Sequence, residues 1–102
     1  MQTPWGESQS ITEVAEGVQF VKTSSHGGYK LSTERLQQMP DCLKATTAFY
    51  KGDGWFEEDC EWARVALAFP SLFPPKAIPA AEATMRSVYP QILQEFKREV
   101  KQ

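Results

Sequence analysis

The chain of 102 residues holds one histidine, two cysteines and no apolar run approaching the roughly 20 residues that cross a bilayer. Two cysteines make no disulfide framework. They leave one pairing to consider, Cys42 with Cys60, and a reducing compartment would keep both as thiols. A large excess of either charge is also lacking: 13 acidic and 11 basic residues give a net charge of −2. That balance argues against a binder of duplex nucleic acid, which ordinarily carries a basic patch. The start, Met1-Gln2-Thr3-Pro4-Trp5-Gly6, has neither the basic opening nor the apolar middle of a signal peptide, so a cytoplasmic setting is expected. CxxC, HExxH, GxGxxG and the Walker loop are all missing, and with them the nucleotide, zinc-protease and thioredoxin-like readings those spacings would support.

Hydrophobic and aromatic residues are plentiful, at 41% and 12%, which suits a compact globule rather than a disordered tail. A chain this short is expected to be a single domain, residues 1–102, with one modest core.

Local patterns give an order of elements. Ser10 and Glu13 have capping-box spacing, which predicts a short helical turn over Ile11 to Glu16 stopped by Gly17. Val18 to Thr23 alternates as a half-buried strand does, and Tyr29 to Ser32 is a second strand. Ser24 to Gly28 reverses the chain between them. Ser32 or Thr33 caps a short helix over Glu34 to Met39 that Pro40 ends, and Asp41 opens another turn carrying Leu43. Thr46 to Tyr50 has strand composition, and Gly52-Asp53-Gly54 is a turn. A central helix over Glu57 to Phe69 becomes apolar on every side past Arg64, the mark of a buried helix. A final helix from about Pro79 to Val100 carries Ala81, Met85, Val88, Tyr89, Ile92, Leu93, Phe96 and Val100 on one arc, with a kink expected at Pro90. The class is α+β: a small antiparallel hairpin or three-stranded sheet, packed on the central helix and covered by a long amphipathic C-terminal helix.

Two short islands go beyond what folding needs. Ser24-Ser25-His26-Gly27-Gly28-Tyr29 carries the lone imidazole on a glycine-flanked reversal. Gly54-Trp55-Phe56-Glu57-Glu58-Asp59-Cys60-Glu61-Trp62 packs four acids, a thiol and three large aromatics into nine positions. Together with Thr3-Pro4-Trp5-Gly6, Ala66-Leu67-Ala68-Phe69-Pro70 and Tyr89-Pro90, these segments resemble a domain-of-unknown-function family of bacterial, phage and plasmid proteins, over nearly the whole chain. The resemblance implies a prokaryotic or mobile-element origin and a cytosolic setting. It implies no activity. Its setting in mobile DNA points toward interference with host defence, by association alone.

Each island has a plain reading beside a functional one. His26 suits a general base or a ligand, since its imidazole titrates near neutrality. It equally suits a ring that fixes the turn by bonding a backbone carbonyl. Gly27 and Gly28 serve the turn, and their bare N–H groups suit an anion. Glu57, Glu58 and Asp59 are favourable at a helix start. Glu61 is placed to pair with Arg64 at i,i+3. Cys60 points with Ala63 and Leu67, and the surrounding acids raise a thiol's pKa, which opposes a nucleophilic role. No local spacing matches a zinc motif, so neither metal nor cofactor is expected. Trp55 serves either as an exposed binding ring or as a plug at the core rim.

The preferred expectation is a small non-catalytic binding protein. Trp55, Glu57, Glu58 and Asp59 would form an acidic-aromatic face, with His26, Gly27, Gly28 and Tyr29 beside it, steering a basic protein partner. The first alternative is a small hydrolase or metal-dependent enzyme using His26 with Asp59, Glu58 or Cys60. The second is an accessory domain without independent activity, as a monomer or as a homodimer through the C-terminal stripe. All functional readings require the two islands to lie side by side at an open surface.

Overall fold

The structure, a computed structural model, describes residues 1–44 and 54–100. The expected strand-like stretch at 46–50 and the turn residues Gly52 and Asp53 lie outside the described residues.

The chain opens with a miniature hairpin of β1 (Gln2–Thr3) and β2 (Gly6–Glu7). A four-stranded antiparallel sheet follows, in the order β3 (Ser10–Ala15), β4 (Val18–Lys22), β5 (Gly27–Leu31), β6 (Trp55–Glu57). Between β5 and β6 come α1 (Thr33–Gln38) and α2 (Asp41–Lys44). After β6 the chain is helical: α3 (Trp62–Ala68), a 3-10 turn (Pro70–Leu72), α4 (Ala77–Val88) and α5 (Pro90–Val100). The class is α+β, as expected, and the sheet has four strands rather than two or three. No helix among the described residues is long and apolar enough to cross a membrane.

The β4–β5 hairpin forms as its alternation predicts. Ser32 caps α1 by accepting the N–H of Arg35 at 3.2 Å. Three expectations need correction.

Ile11 to Glu16 is not helical. It belongs to β3, pairing Ile11 with Val21 and Thr12 with Phe20. Ile, Thr and Val favour a pleated ladder over a helix, and Gly17, at φ +81°, turns β3 directly into β4. With a strand alongside to pair with, the capping-box spacing has no helix to start.

The central helix starts at Trp62, not Glu57. Trp55, Phe56 and Glu57 form β6 instead, pairing Gly28 with Glu57 and Tyr29 with Phe56. A bulky aromatic pair flanked by turn residues fits a short strand beside β5.

The last helix is two helices. Tyr89, at φ −135° and ψ 61°, breaks the run before Pro90. The residue before proline is pushed out of helical geometry, and Pro90 becomes the first residue of α5, where its missing N–H costs nothing.

Residues directly opposite in an antiparallel ladder share a face. Val18, Phe20, Tyr29, Leu31 and Phe56 therefore face one side, and Val21, Gly28, Lys30, Trp55 and Glu57 the other. The first side meets the helices. Val18, Leu31 and Phe56 join Leu43, Val65, Ala66, Met85 and Leu93 in the core. Arg64 and Glu61 are buried beside it: Arg64 Nη1 donates to the Leu43 carbonyl at 3.2 Å, and Tyr89 donates its hydroxyl to Glu61. The second side carries the N-terminal hairpin. A methyl group at Gly28 would lie 2.4 Å from Trp5 Cη2, so the Trp5 ring occupies the space above that glycine. Val21, on that side, is fully buried.

Candidate functional site

The two islands meet at one end of the sheet. Pairing of β5 with β6 brings Gly28 opposite Glu57, and the Glu58 N–H donates to the Gly27 carbonyl at 2.9 Å. The reversal bearing His26 adjoins the turn bearing Glu58 and Asp59, while Gly27, Gly28 and Trp55 are buried. Ser24, Ser25, His26, Glu58 and Asp59 are all exposed there.

The reversal is shaped by Thr23, not by the imidazole. The Thr23 hydroxyl accepts the His26 N–H at 3.1 Å and donates to the His26 carbonyl at 2.9 Å. The Thr23 N–H donates to the same carbonyl at 2.7 Å. Thr23 is buried while the His26 side chain stands in solvent. Among the described residues no hydrogen bond or ion pair joins the imidazole to a carboxylate or thiol.

The acids divide by task. Glu57 folds its carboxylate back onto the turn ahead of α3, accepting the N–H groups of Asp59 at 2.9 Å, Cys60 at 2.6 Å and Glu61 at 3.1 Å. It is thus the cap of that turn, where negative charge and N–H donors attract. Glu58 and Asp59 are left outward and form no ion pair among the described residues. Glu61 is committed inward, 2.8 Å from Arg64 Nε, although that N–H is not aimed at the carboxylate and makes an ionic contact rather than an aligned hydrogen bond. The i,i+3 pairing is as the sequence predicts. The Tyr89 contribution is not readable from spacing, because it arrives from 28 residues away.

Neither thiol is poised to react. Cys42 and Cys60 are both free. Burial pushes the Cys60 thiol up, and Glu57, Glu61 and Asp59 add to it. Burial and the Glu99 carboxylate, which accepts from Cys42 Sγ at 3.3 Å, push Cys42 up to about 11. No group of three or more His, Cys, Asp and Glu among the described residues could hold a metal ion.

Trp55 is a plug, not a free ring. It is buried, with Trp5 edge-on at 5.5 Å and Lys30 Nζ 5.1 Å from its ring centre. The aromatic surface beside the acids is a different one. Phe20 and Tyr29 pack edge to face at 5.0 Å, Phe73 follows Tyr29 at 5.5 Å, and Trp62 follows Phe73 at 6.4 Å. All four rings are half-buried. Burial, then the charge of Glu58, pushes the Tyr29 phenol above its ordinary value. Tyr29 was legible as a site residue. Phe20 and Phe73 were not, though the hairpin register, once known, sets Phe20 against Tyr29.

A cleft of about 490 Å³ lies at the other end of the sheet, lined by Glu16, Gly17, Ser32, Glu34, Arg35 and Gln38. None of these residues belongs to either island.

Across residues 1–102 the chain matches the family described as "Domain of unknown function (DUF7007)" and belongs to it. No curated protein and no solved structure matches it.

Proposed function

With a family of undefined activity as the premise, we propose that this chain is a small non-catalytic binding protein that occupies a basic surface on a protein partner. A phage or mobile-element origin, and inhibition of a host defence system, are part of the same reading. They come from the sequence resemblance. The observation that carries the binding role is the bond from Glu58 to the Gly27 carbonyl. It fixes Glu58, Asp59 and the exposed reversal as one surface. Two outward carboxylates without an ion-pair partner among the described residues create a local negative field, which speeds encounter with a positive patch.

The enzymatic alternative, His26 with Asp59, Glu58 or Cys60, draws no support from a contact among the described residues. The thiol shift runs against it.

The test separates steering from folding. Glu57 is needed for the turn, so the informative variant replaces Glu58 and Asp59 by Ser and leaves Glu57 in place. A partner captured from the natural host is expected to associate more slowly with the variant, with the gap closing as salt rises. Equal association rates across a salt titration reject the proposal.

A further inference from the structure

We propose that the row Phe20–Tyr29–Phe73, with Glu58 at its Phe20 end, is a seat for an arginine side chain of the partner. This rests on the binding reading above and names the chemistry of the group that is bound.

The chain places a cation over several of its aromatic rings. Lys30 lies over Trp55, Arg35 Cζ lies 5.0 Å from the Phe69 ring centre, and Arg64 Cζ lies 4.5 Å from that of Tyr89. Among the described residues no cation lies over Phe20, Tyr29 or Phe73. Phe20 is also outside the core cluster that Tyr29 and Phe73 pack against, so it extends the row outward without filling the interior.

Glu58 is held next to this row. A methyl group at Gly27 would lie 2.5 Å from Glu58 Oε2 and 3.2 Å from Phe20 Cζ. The carboxylate and the tip of the phenylalanine therefore crowd the same point above a residue with no side chain of its own. Any larger residue at position 27 would part them. Lys22, opposite Gly27 in the ladder, is exposed and forms no ion pair among the described residues, so no cation of the chain is seated on the carboxylate.

The two halves select together. Ring faces carry negative quadrupole and attract cations, and a carboxylate does so by charge. A neutral apolar side chain would gain nothing from Glu58, and an anion would be repelled by it. A guanidinium gains from both: it lies flat on a ring while its fork of N–H donors reaches a carboxylate.

The test is an NMR titration of the full chain, with assigned backbone and ring signals, using N-acetyl-arginine methylamide. The neutral isostere N-acetyl-citrulline methylamide serves as the control. Phe20 and Tyr29 ring signals and the Gly27 and Glu58 amides are expected to shift along one binding curve in the millimolar range with the arginine probe. The shifts should be at least fivefold smaller with citrulline. Glu58→Gln, an exposed change that leaves the fold in place, is expected to abolish them, and Phe20→Leu to weaken them with the dispersion of the spectrum retained. Shifts confined to Glu58 and Asp59, without the rings, overturn the seat while leaving acidic steering intact. Equal shifts with both probes, or none with either, also overturn it. The partner's salt dependence is measured separately, so the binding reading stands or falls on its own result.

Discussion

The Glu57 carboxylate accepts the Cys60 N–H at 2.6 Å, and through the same pair of oxygens it holds the turn that launches α3. A residue at the end of a strand thus braces the turn that leads into the helix that follows. Glu57→Ala is expected to destabilise the fold by about 1–2 kcal/mol, because three N–H groups of the turn lose a charged acceptor. Glu58→Ala is expected to stay within about 0.5 kcal/mol, as exposed changes generally do. Urea denaturation of the two variants beside wild type checks the contrast. Equal losses would mean that these bonds are not the source.

Gly28→Ala tests the cover on the outer face of the sheet. The added methyl would meet Trp5 Cη2 at 2.4 Å and the Phe56 carbonyl oxygen at 2.6 Å. One of these neighbours is backbone and cannot simply rotate away. A loss of about 1–3 kcal/mol is expected, in the range for overpacking. The near-ultraviolet circular dichroism of the Trp5–Trp55 pair should weaken as the rings part. An unchanged tryptophan signal would show that Trp5 does not rest there.

Tyr89→Phe removes the hydroxyl that donates to Glu61 and leaves a buried carboxylate oxygen short of a partner. The expected cost is about 1–3 kcal/mol. Glu61→Ala strands the Arg64 guanidinium in the interior and is expected to cost more, about 3–5 kcal/mol. A double-mutant cycle between the two should show strong coupling, because they belong to one buried network. Additive losses would separate them.

The thiols give a pH dependence. Folding raises the Cys42 pKa to about 11, from a value near 9 when unfolded. The folded state therefore keeps a proton that the unfolded chain releases. The stability linked to this group is complete below about pH 9 and is lost as pH climbs toward 11. The denaturation midpoint of wild type is expected to fall more steeply over that window than the midpoint of Cys42→Ala. The tyrosines shift the same way in both proteins and cancel in the comparison. Near neutrality, iodoacetamide should label both cysteines more slowly than a free thiol. Rapid labelling of Cys60 would contradict its acidic surroundings.

What the sequence revealed depended on whether the signal was local. The β4–β5 hairpin is contiguous, with its own turn, and α1 announces itself through Ser32. The buried run Val65-Ala66-Leu67 reports its surroundings by composition. β3 and β6 leave no local signal because short strands are stabilised by their neighbours: Ile11 needs Val21 beside it, and Phe56 needs Tyr29. An in-phase apolar stripe hid the break at Tyr89, because the arc continues through a residue that has left helical geometry. At the candidate site, the two islands stand out in the sequence, but their adjacency rests on the β5–β6 pairing, which no local pattern announces. The division of labour among Glu57, Glu58 and Glu61 was not, since three neighbouring identical side chains face three different environments.

Both broad surfaces of the sheet are occupied, one by helices and the other in part by the Trp5 hairpin. The tips of the strands, and the half-buried margin at Phe20 and Tyr29, are then the ground left for meeting another molecule. Sequence change can accumulate at those tips without reaching Phe56 or Leu31. A single scaffold of this kind could change what it grips while keeping its interior fixed.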